Sequence, residues 1–296
     1  MINLAAGLSP TDLSAIEELE RRVVAADGGR LKLEWNALRH RSGQDVEDVL
    51  WWDGEQLLGF LGIYTHSAPT IEVAGMVDPA ARRQGIGTAL LDAGLDVCRQ
   101  REHDQVLLVV PRNSAGGRSL AQRRNGSLDH SEHALQLLGD PVAVPADPGI
   151  TVRAAVPADR EAVRELLLLG FGWDPPERAG RDPNTLVFER DGRLVGTSRL
   201  IREGDQAGVY GFAIHPDQQG RGIGRDMLHR MCRTALDDGA TAVNLEVATD
   251  NDRALNVYTS LGFRSVITED YYALPGPIAG TTPSARSPSR LRERTG

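Results

Sequence analysis

The chain has 296 residues, of which 41% are hydrophobic and 25% charged, with a formal net charge of −8 at neutral pH. Those proportions fit a globular protein with a sizeable core and exclude collagen-like and wholly disordered chains; the acidic balance argues against a general nucleic-acid binder, which needs a basic surface to neutralise phosphates, and favours an amine-bearing partner. No run approaches the roughly 18 uncharged apolar residues of a membrane span, the N-terminus lacks a basic start followed by an apolar run, and a cytoplasmic protein is expected.

In chain order, Ser9-Pro10-Thr11-Asp12 reads as an N-cap, a proline in the first turn and an acidic start, opening a helix to about Ala26. Asp53-Gly54 separates two apolar or alternating runs, Val46 to Trp52 and Gln56 to Tyr64, which predicts a hairpin closed by a primed turn. A strand over Thr70 to Val77 leads into a glycine-rich loop, followed by an amphipathic helix over Thr88 to Gln100 and a buried strand over Val106 to Val110. The same order then returns. Ile150 to Ala154 is a strand, Ala158 to Leu169 a helix, Leu186 to Arg190 and Arg193 to Ile201 a hairpin, and Gly208 to Ile214 a strand. Gly224 to Leu236 is a helix, Ala242 to Val247 a strand, Asn251 to Leu261 a helix and Phe263 to Tyr272 a final strand.

The repetition extends to individual residues. Asp78-Pro79 with Arg82-Arg83-Gln84-Gly85-Ile86-Gly87 reappears 137 positions later as His215-Pro216 with Gln219-Gly220-Arg221-Gly222-Ile223-Gly224. Two copies of one fold follow: residues 1–140, a proline-rich linker 141–149, and residues 150–274, with a disordered basic tail expected over 275–296. Cys98 and Cys232 each lie inside an amphipathic stretch and read as small buried hydrophobes, with no disulfide framework and no metal site indicated. Lys32 is the sole lysine among 33 basic residues, a compositional bias that by itself carries no chemical meaning.

The glycine loops lack the third glycine of the dinucleotide fingerprint, since position 225 is Arg, and neither is followed by the Lys-Ser/Thr of a nucleotide-triphosphate loop. What remains is strand, Arg/Gln-x-x-Gly-x-Gly, helix. Backbone amides in such a turn, beside a helix N-terminus, form a concave site for pyrophosphate oxygens, and glycine lets the phosphate approach the main chain.

These loops resemble the acetyl-CoA signature of the GNAT superfamily of N-acetyltransferases. The second copy adds Leu245-Glu246-Val247 and Asn251-x-x-Ala254-Leu255-x-x-Tyr258-x-x-x-Gly262-Phe263, similar to the family's downstream motif. The resemblance implies an α/β (α+β) fold of two tandem domains, each a mixed, mostly antiparallel sheet flanked by helices. It implies acetyl-CoA as cosubstrate, with no metal, and direct attack by a primary amine of a small molecule or a protein N-terminus. By the same resemblance, Gln219, Gly220, Arg221, Gly222, Ile223 and Gly224 would cradle the CoA pyrophosphate, Phe212, Ala213 and Ile214 would pair with the pantetheine arm, and Asn251 would contact it. Tyr258 would protonate the departing thiolate. Glu246, twelve residues earlier as in the Glu/Tyr pair of ribosomal-protein alanine N-acetyltransferases, would be the base, its side chain on the face opposite Leu245 and Val247; a water chain is the alternative.

In the first copy Arg82, Arg83, Gln84, Gly85, Ile86 and Gly87 keep the loop, but no tyrosine follows in Asn113 to Leu120 and Gly126 is followed by Ser127. A general acid is missing there, and a structural partner without turnover is expected, whose intact loop leaves CoA binding open. Trp173 falls where the superfamily builds acceptor walls, against the alternative of a packing anchor. Tyr271 and Tyr272 could line the acceptor site, only one of them by alternation. A tandem chain with a degenerate first copy also resembles mycothiol synthases, which acetylate a cysteinyl amine, although the glutamate that this resemblance calls for before the second loop is Gly208 here. A non-catalytic CoA-binding sensor or scaffold is the reading from a different class.

Overall fold

The computed structural model describes residues 1–67, 70–172 and 182–275. In chain order the first half contains β1 (Ile2–Ala5), α1 (Pro10–Asp27), α2 (Trp35–Arg39), β2 (Asp48–Asp53), β3 (Gln56–Ser67), β4 (Thr70–Val77), α3 (Ile86–Cys98), β5 (Gln105–Pro111), α4 (Ala115–Arg123) and β6 (Ser127–Leu138). The second contains β7 (Thr151–Ala154), α5 (Arg160–Phe171), β8 (Thr185–Arg190), β9 (Arg193–Glu203), β10 (Gln206–Ile214), α6 (Ile223–Asp237), β11 (Ala242–Ala248), α7 (Asp252–Ser260) and β12 (Arg264–Leu274). Among the described residues no helix is long and apolar enough to cross a membrane.

Local chemistry sets these elements where the sequence places them. The Ser9 hydroxyl accepts from the Asp12 amide at 3.1 Å while the Asp12 carboxylate accepts from the Ser9 amide at 2.9 Å, a reciprocal cap that starts α1. In the second hairpin Arg190 pairs with Arg193, and both turn residues, Asp191 at φ 51 and Gly192 at φ 74, are left-handed as a type I′ turn demands. In the first, Asp53 itself pairs with Gln56, so the turn is Gly54-Glu55 and only Gly54 is left-handed.

The strands form one twelve-stranded sheet in the order β1-β2-β3-β4-β5-β12-β6-β11-β10-β9-β8-β7. Only β4/β5 and β10/β11 are parallel. The last strand of each copy has crossed over. β12 pairs with β5 of the first half, opposing Tyr271 to Val109, and β6 pairs with β11 of the second, opposing Ala134 to Glu246. β6 and β12 then pair with each other at the centre. Among the described residues the outer edges are the four-residue strands β1 and β7, short edges that offer little template for further pairing.

Alternation along the strands sorts the core into layers. On one face, Leu61, Val73, Leu108 and Val110 pack under α3 and α4, and Val209, Leu245 and Val247 under α6 and α7. On the other, Phe60, Met76, Leu107, Val109 and Tyr271 pack under α1 and α2. Both cysteines are free and buried, as expected.

Candidate active site

Gly222 caps α6 at φ 83 and Gly85 caps α3 at φ 88, and neither helix start receives a side-chain cap. By contrast α1, α4 and α7 are capped by Ser9, Ser114 and Asn251. The first-turn amides of α3 and α6 are therefore left for an anion, and a Cβ built on Gly85 or Gly222 meets nothing within 4 Å, so the loop surface is open. The loops are pinned alike: Gln219 Nε2 donates to the Ile214 carbonyl at 2.8 Å and Arg82 Nε to the equivalent Val77 carbonyl at 3.2 Å. Those two side chains hold the loop and leave the main chain to meet a ligand. The copies differ at one backbone position, where Gly220 at φ 78 is matched by Arg83 at φ 66, a left-handed arginine. His215 is a turn residue whose Nδ1 accepts from the Asp217 amide at 3.3 Å.

After each loop's strand the sheet opens. β4 pairs with β5 only from Thr70 to Val73 in register, and β10 with β11 only from Gln206 to Gly208. Beyond those points the strands splay, and the edges of Ala74 to Val77 and of Val209 to Ile214 have no partner on that side, as an extended ligand arm needs. β10 carries a bulge between Tyr210 and Ala213 with Gly211 at φ 57, which turns the amides of the following residues; β4 keeps an unbroken register against β3 over the corresponding residues. In the first half the slot widens into a cavity of about 870 Å³, whose lining includes Arg83, Gly85, Gly87, Arg30 and Ile267, the last from β12 of the second half. Phe212 packs on Phe188, with ring centroids 6.0 Å apart, and Ala213 and Ile214 are buried beside it.

The offset of 137 that relates Gly85 to Gly222 also carries Ser114 to Asn251, Val109 to Glu246 and Ala121 to Tyr258. Valine and alanine thus stand in the first copy where the second has its two candidate reactive groups. Asn251 Oδ1 accepts from the Ala254 amide at 3.0 Å, so its carbonyl serves as the α7 cap. Tyr258 is buried beside Phe263, and burial pushes its phenol up to about 12, so it stays protonated at neutral pH.

Glu246 faces away from Leu245 and Val247, as alternation predicts, and meets groups that periodicity could not reveal. Arg30 donates to one carboxylate oxygen and Lys32 Nζ stands 2.8 Å from the other. Burial alone would raise this carboxyl, but the Lys32 and Arg30 charges hold it at about 2. Around it lie Glu132, Glu72 and Glu269, with the Tyr271 hydroxyl donating to Glu132 at 2.6 Å and accepting from Lys32. Glu269 is fully buried with no hydrogen-bond partner on either oxygen among the described residues, and burial pushes it up to about 7 despite Arg30 at 3.5 Å. Tyr271 faces this cluster while Tyr272 packs on the opposite layer, so one tyrosine of the pair faces it, as alternation requires. Trp173 lies outside the described residues. At Gly208, a Cβ would meet the Tyr210 ring at 2.5 Å, so a phenol hydrogen-bonded to Glu203 at 2.8 Å fills the space beside that glycine.

Comparison with known proteins accords with this geometry. The sequence model of the Acetyltransferase (GNAT) family matches residues 13–126 and again 157–263. Mycothiol acetyltransferase of Kytococcus sedentarius is 31% identical, covering 90% of this chain and 96% of its own, and that of Rhodococcus jostii is 30% identical over 90% and 95%. Among solved structures, a GCN5-related N-acetyltransferase from Sphaerobacter thermophilus superposes with a TM-score of 0.76 at 21% identity, covering 93% of this chain and 97% of that one. A tandem GNAT protein from the clavulanic acid biosynthesis pathway gives 0.68 at 18% identity, over 95% and 100%. Two matched segments, two glycine loops and two splayed strand pairs lead to one conclusion: the chain belongs to the GNAT acetyltransferase family and is an N-acetyltransferase, an enzyme that moves an acetyl group to an amine.

Proposed function

We propose that the second half, over residues 150–274, carries out the transfer from acetyl-CoA to a primary amine, and that the first half, residues 1–140, binds CoA without turning it over. The observation that carries this reading is the asymmetry at one repeat offset: Tyr258 and Glu246 against Ala121 and Val109. When bound, acetyl-CoA supplies an acetyl group activated as a thioester. The first-turn amides of α6, with Gly220 and Gly222 giving close approach, hold its diphosphate. Phe212, Ala213 and Ile214 offer the unpaired edge of β10 to the pantetheine, and an amide turned by the bulge donates to the carbonyl oxygen on which charge develops. Tyr258, retained as a neutral phenol, donates its proton to the departing thiolate.

Glu246 receives the acceptor as its ammonium. A carboxylate held at about 2 keeps a proton only transiently, so it positions the amine while the proton passes through water to solvent. Arg82 through Gly87 form the equivalent diphosphate cradle of the first half, opening on the 870 Å³ cavity. A second reading of the acceptor, a cysteinyl amine on a sugar, is favoured by the mycothiol acetyltransferases that match over nine tenths of the chain.

The test is release of free thiol from acetyl-CoA in the presence of amino sugars, amino-acid amides, peptides with free N-termini and a cysteinyl glucosamine. Acceptor-dependent release by the wild type, lost when Tyr258 is replaced by Phe, is the expected result. Release that survives Tyr258→Phe but is lost in Gly85→Ala would reverse the assignment of the halves.

A further inference from the structure

The one lysine of the chain is not on its surface. Lys32 lies in the segment between α1 and α2, with a side chain only 10% exposed, and its ammonium stands 2.8 Å from Glu246, 3.5 Å from Glu132 and 3.9 Å from Glu72 while donating to the Tyr271 hydroxyl. The carboxylates come from β4, β6 and β11. Arg30, two residues earlier, bonds Glu246 and reaches Glu269 on β12. Both cations of the cluster therefore come from one short segment of the first half, and both meet the carboxylate to which we assign the acceptor.

Burying an ammonium costs several kcal/mol unless its protons find partners. Three N–H groups here face Glu246, Glu132 and the Tyr271 oxygen, which uses the full donor capacity of a lysine. At every other basic position the chain uses arginine. An arginine at position 32 would bring a flat five-donor fork, whereas these acceptors surround a compact tetrahedral cation.

We propose that Lys32 and Arg30 are positioning residues for acetyl transfer: they fix the Glu246 carboxylate where the incoming amine must meet it, so the first half completes the site of the second. The proposal rests on the reading that Glu246 receives the amine. Without these cations a half-buried carboxylate beside Glu132, Glu72 and Glu269 would be driven toward its protonated, uncharged form. With them it stays ionised and held from two sides.

Because there is one lysine, labelling lysine side chains with ¹⁵N gives a single Nζ resonance. In the wild type its titration midpoint is expected above that of free lysine, and in Glu246→Gln the ionisation constant is expected about tenfold larger. An ordinary midpoint, the same in both proteins, would overturn the proposal. The second arm is the pH dependence of kcat/KM for the best amine of the panel. The acceptor's own titration lowers both rates alike as pH falls, so the ratio of Lys32→Met to wild type is the readout: it is expected to be constant above about pH 5 and to fall by about tenfold for each pH unit below it, with Lys32→Arg, which restores the charge without the tetrahedral geometry, recovering part of the loss. An acid limb unmoved by Lys32→Met would overturn the positioning role. If Lys32→Met does not fold, the resonance in the wild type and in Glu246→Gln still decides. Absence of transfer to any amine would remove the reading of the site, and the positioning role with it, while the resonance would still report on the clamp itself.

Discussion

Replacing Tyr258 by Phe isolates one hydroxyl. The ring packs in the second-half core with Phe263 at 6.2 Å, and the hydroxyl has no hydrogen-bond partner among the described residues. Removing it strands no buried group, so the stability change is expected within about 1 kcal/mol, or less than about 4 °C in a melting temperature for a chain of this size. The effect on chemistry is expected to be far larger. A positioned general acid is worth about 10²–10⁴ in rate, so kcat should fall at least about 100-fold, equivalent to about 2.7 kcal/mol of transition-state stabilisation. The KM for acetyl-CoA should stay within about twofold, because a group that acts only as the thiolate departs contributes little to ground-state binding. Burial holds the phenol up at about 12, so the deficit should be uniform between pH 6 and pH 9. Thiol release measured by a chromogenic disulfide, alongside a thermal melt, gives both quantities. A kcat equal to wild type, or a fall matched by an equal loss of acetyl-CoA affinity, would refute the acid role.

Other perturbations probe the remaining parts. Arg83 adopts the left-handed backbone that Gly220 takes in the second loop, so Arg83→Gly should stabilise the fold by about 1 kcal/mol, read by denaturant unfolding; a loss of stability would mean that the arginine side chain outweighs its strain. Gly222→Ala adds a Cβ that meets nothing within 4 Å but disfavours φ 83, which should cost roughly tenfold in CoA affinity at the second loop, and Gly85→Ala should do the same at the first. Calorimetry should then resolve two sites in the wild type and weaken one of them in each variant; a single site untouched by either change would contradict the cradle. Glu246 has its folded-state ionisation lowered from 4.5 to about 2, so its contribution is present above about pH 4.5 and is lost as pH falls through 2; Glu246→Gln should flatten the acid branch of the stability curve in that window.

Some of this architecture was legible in the sequence because backbone geometry leaves few substitutes. Glycine at positions 85, 87, 220, 222 and 224 marks both loops, and the serine and proline at 9 and 10 mark a helix start. The side of β11 on which Glu246 projects follows from strand alternation. What alternation cannot supply is the neighbour. β6 carries Asp129, His130, Ser131, Glu132 and His133 in sequence, a polar run with no apolar alternation to mark it as a strand, and β11 and β12 flank it. The crossing of β12 into the first half is a pairing across more than 150 residues, and no local period encodes it. Lys32 looks like a compositional accident for the same reason: its partner Glu246 is 214 residues away.

The exchange of last strands bears on what a first half without turnover, as proposed above, contributes to the second. On the proposed reading, three departures of the first half from the second, Val109 for Glu246, Ala121 for Tyr258 and a β4 without the bulge of β10, concern the acetyl end of a bound thioester. What the first half keeps acts elsewhere. β6 covers the edge of β11 that would otherwise be open beside Glu246, and Arg30 and Lys32 hold that carboxylate's charge. On the proposed reading, loss of reactive groups from one slot is therefore compatible with strong dependence of the other slot on the same half. The two copies differ in what they contribute to one reaction, and a substitution at residue 30 or 32 belongs with the chemistry of residues 246 and 258 despite its place in the other copy.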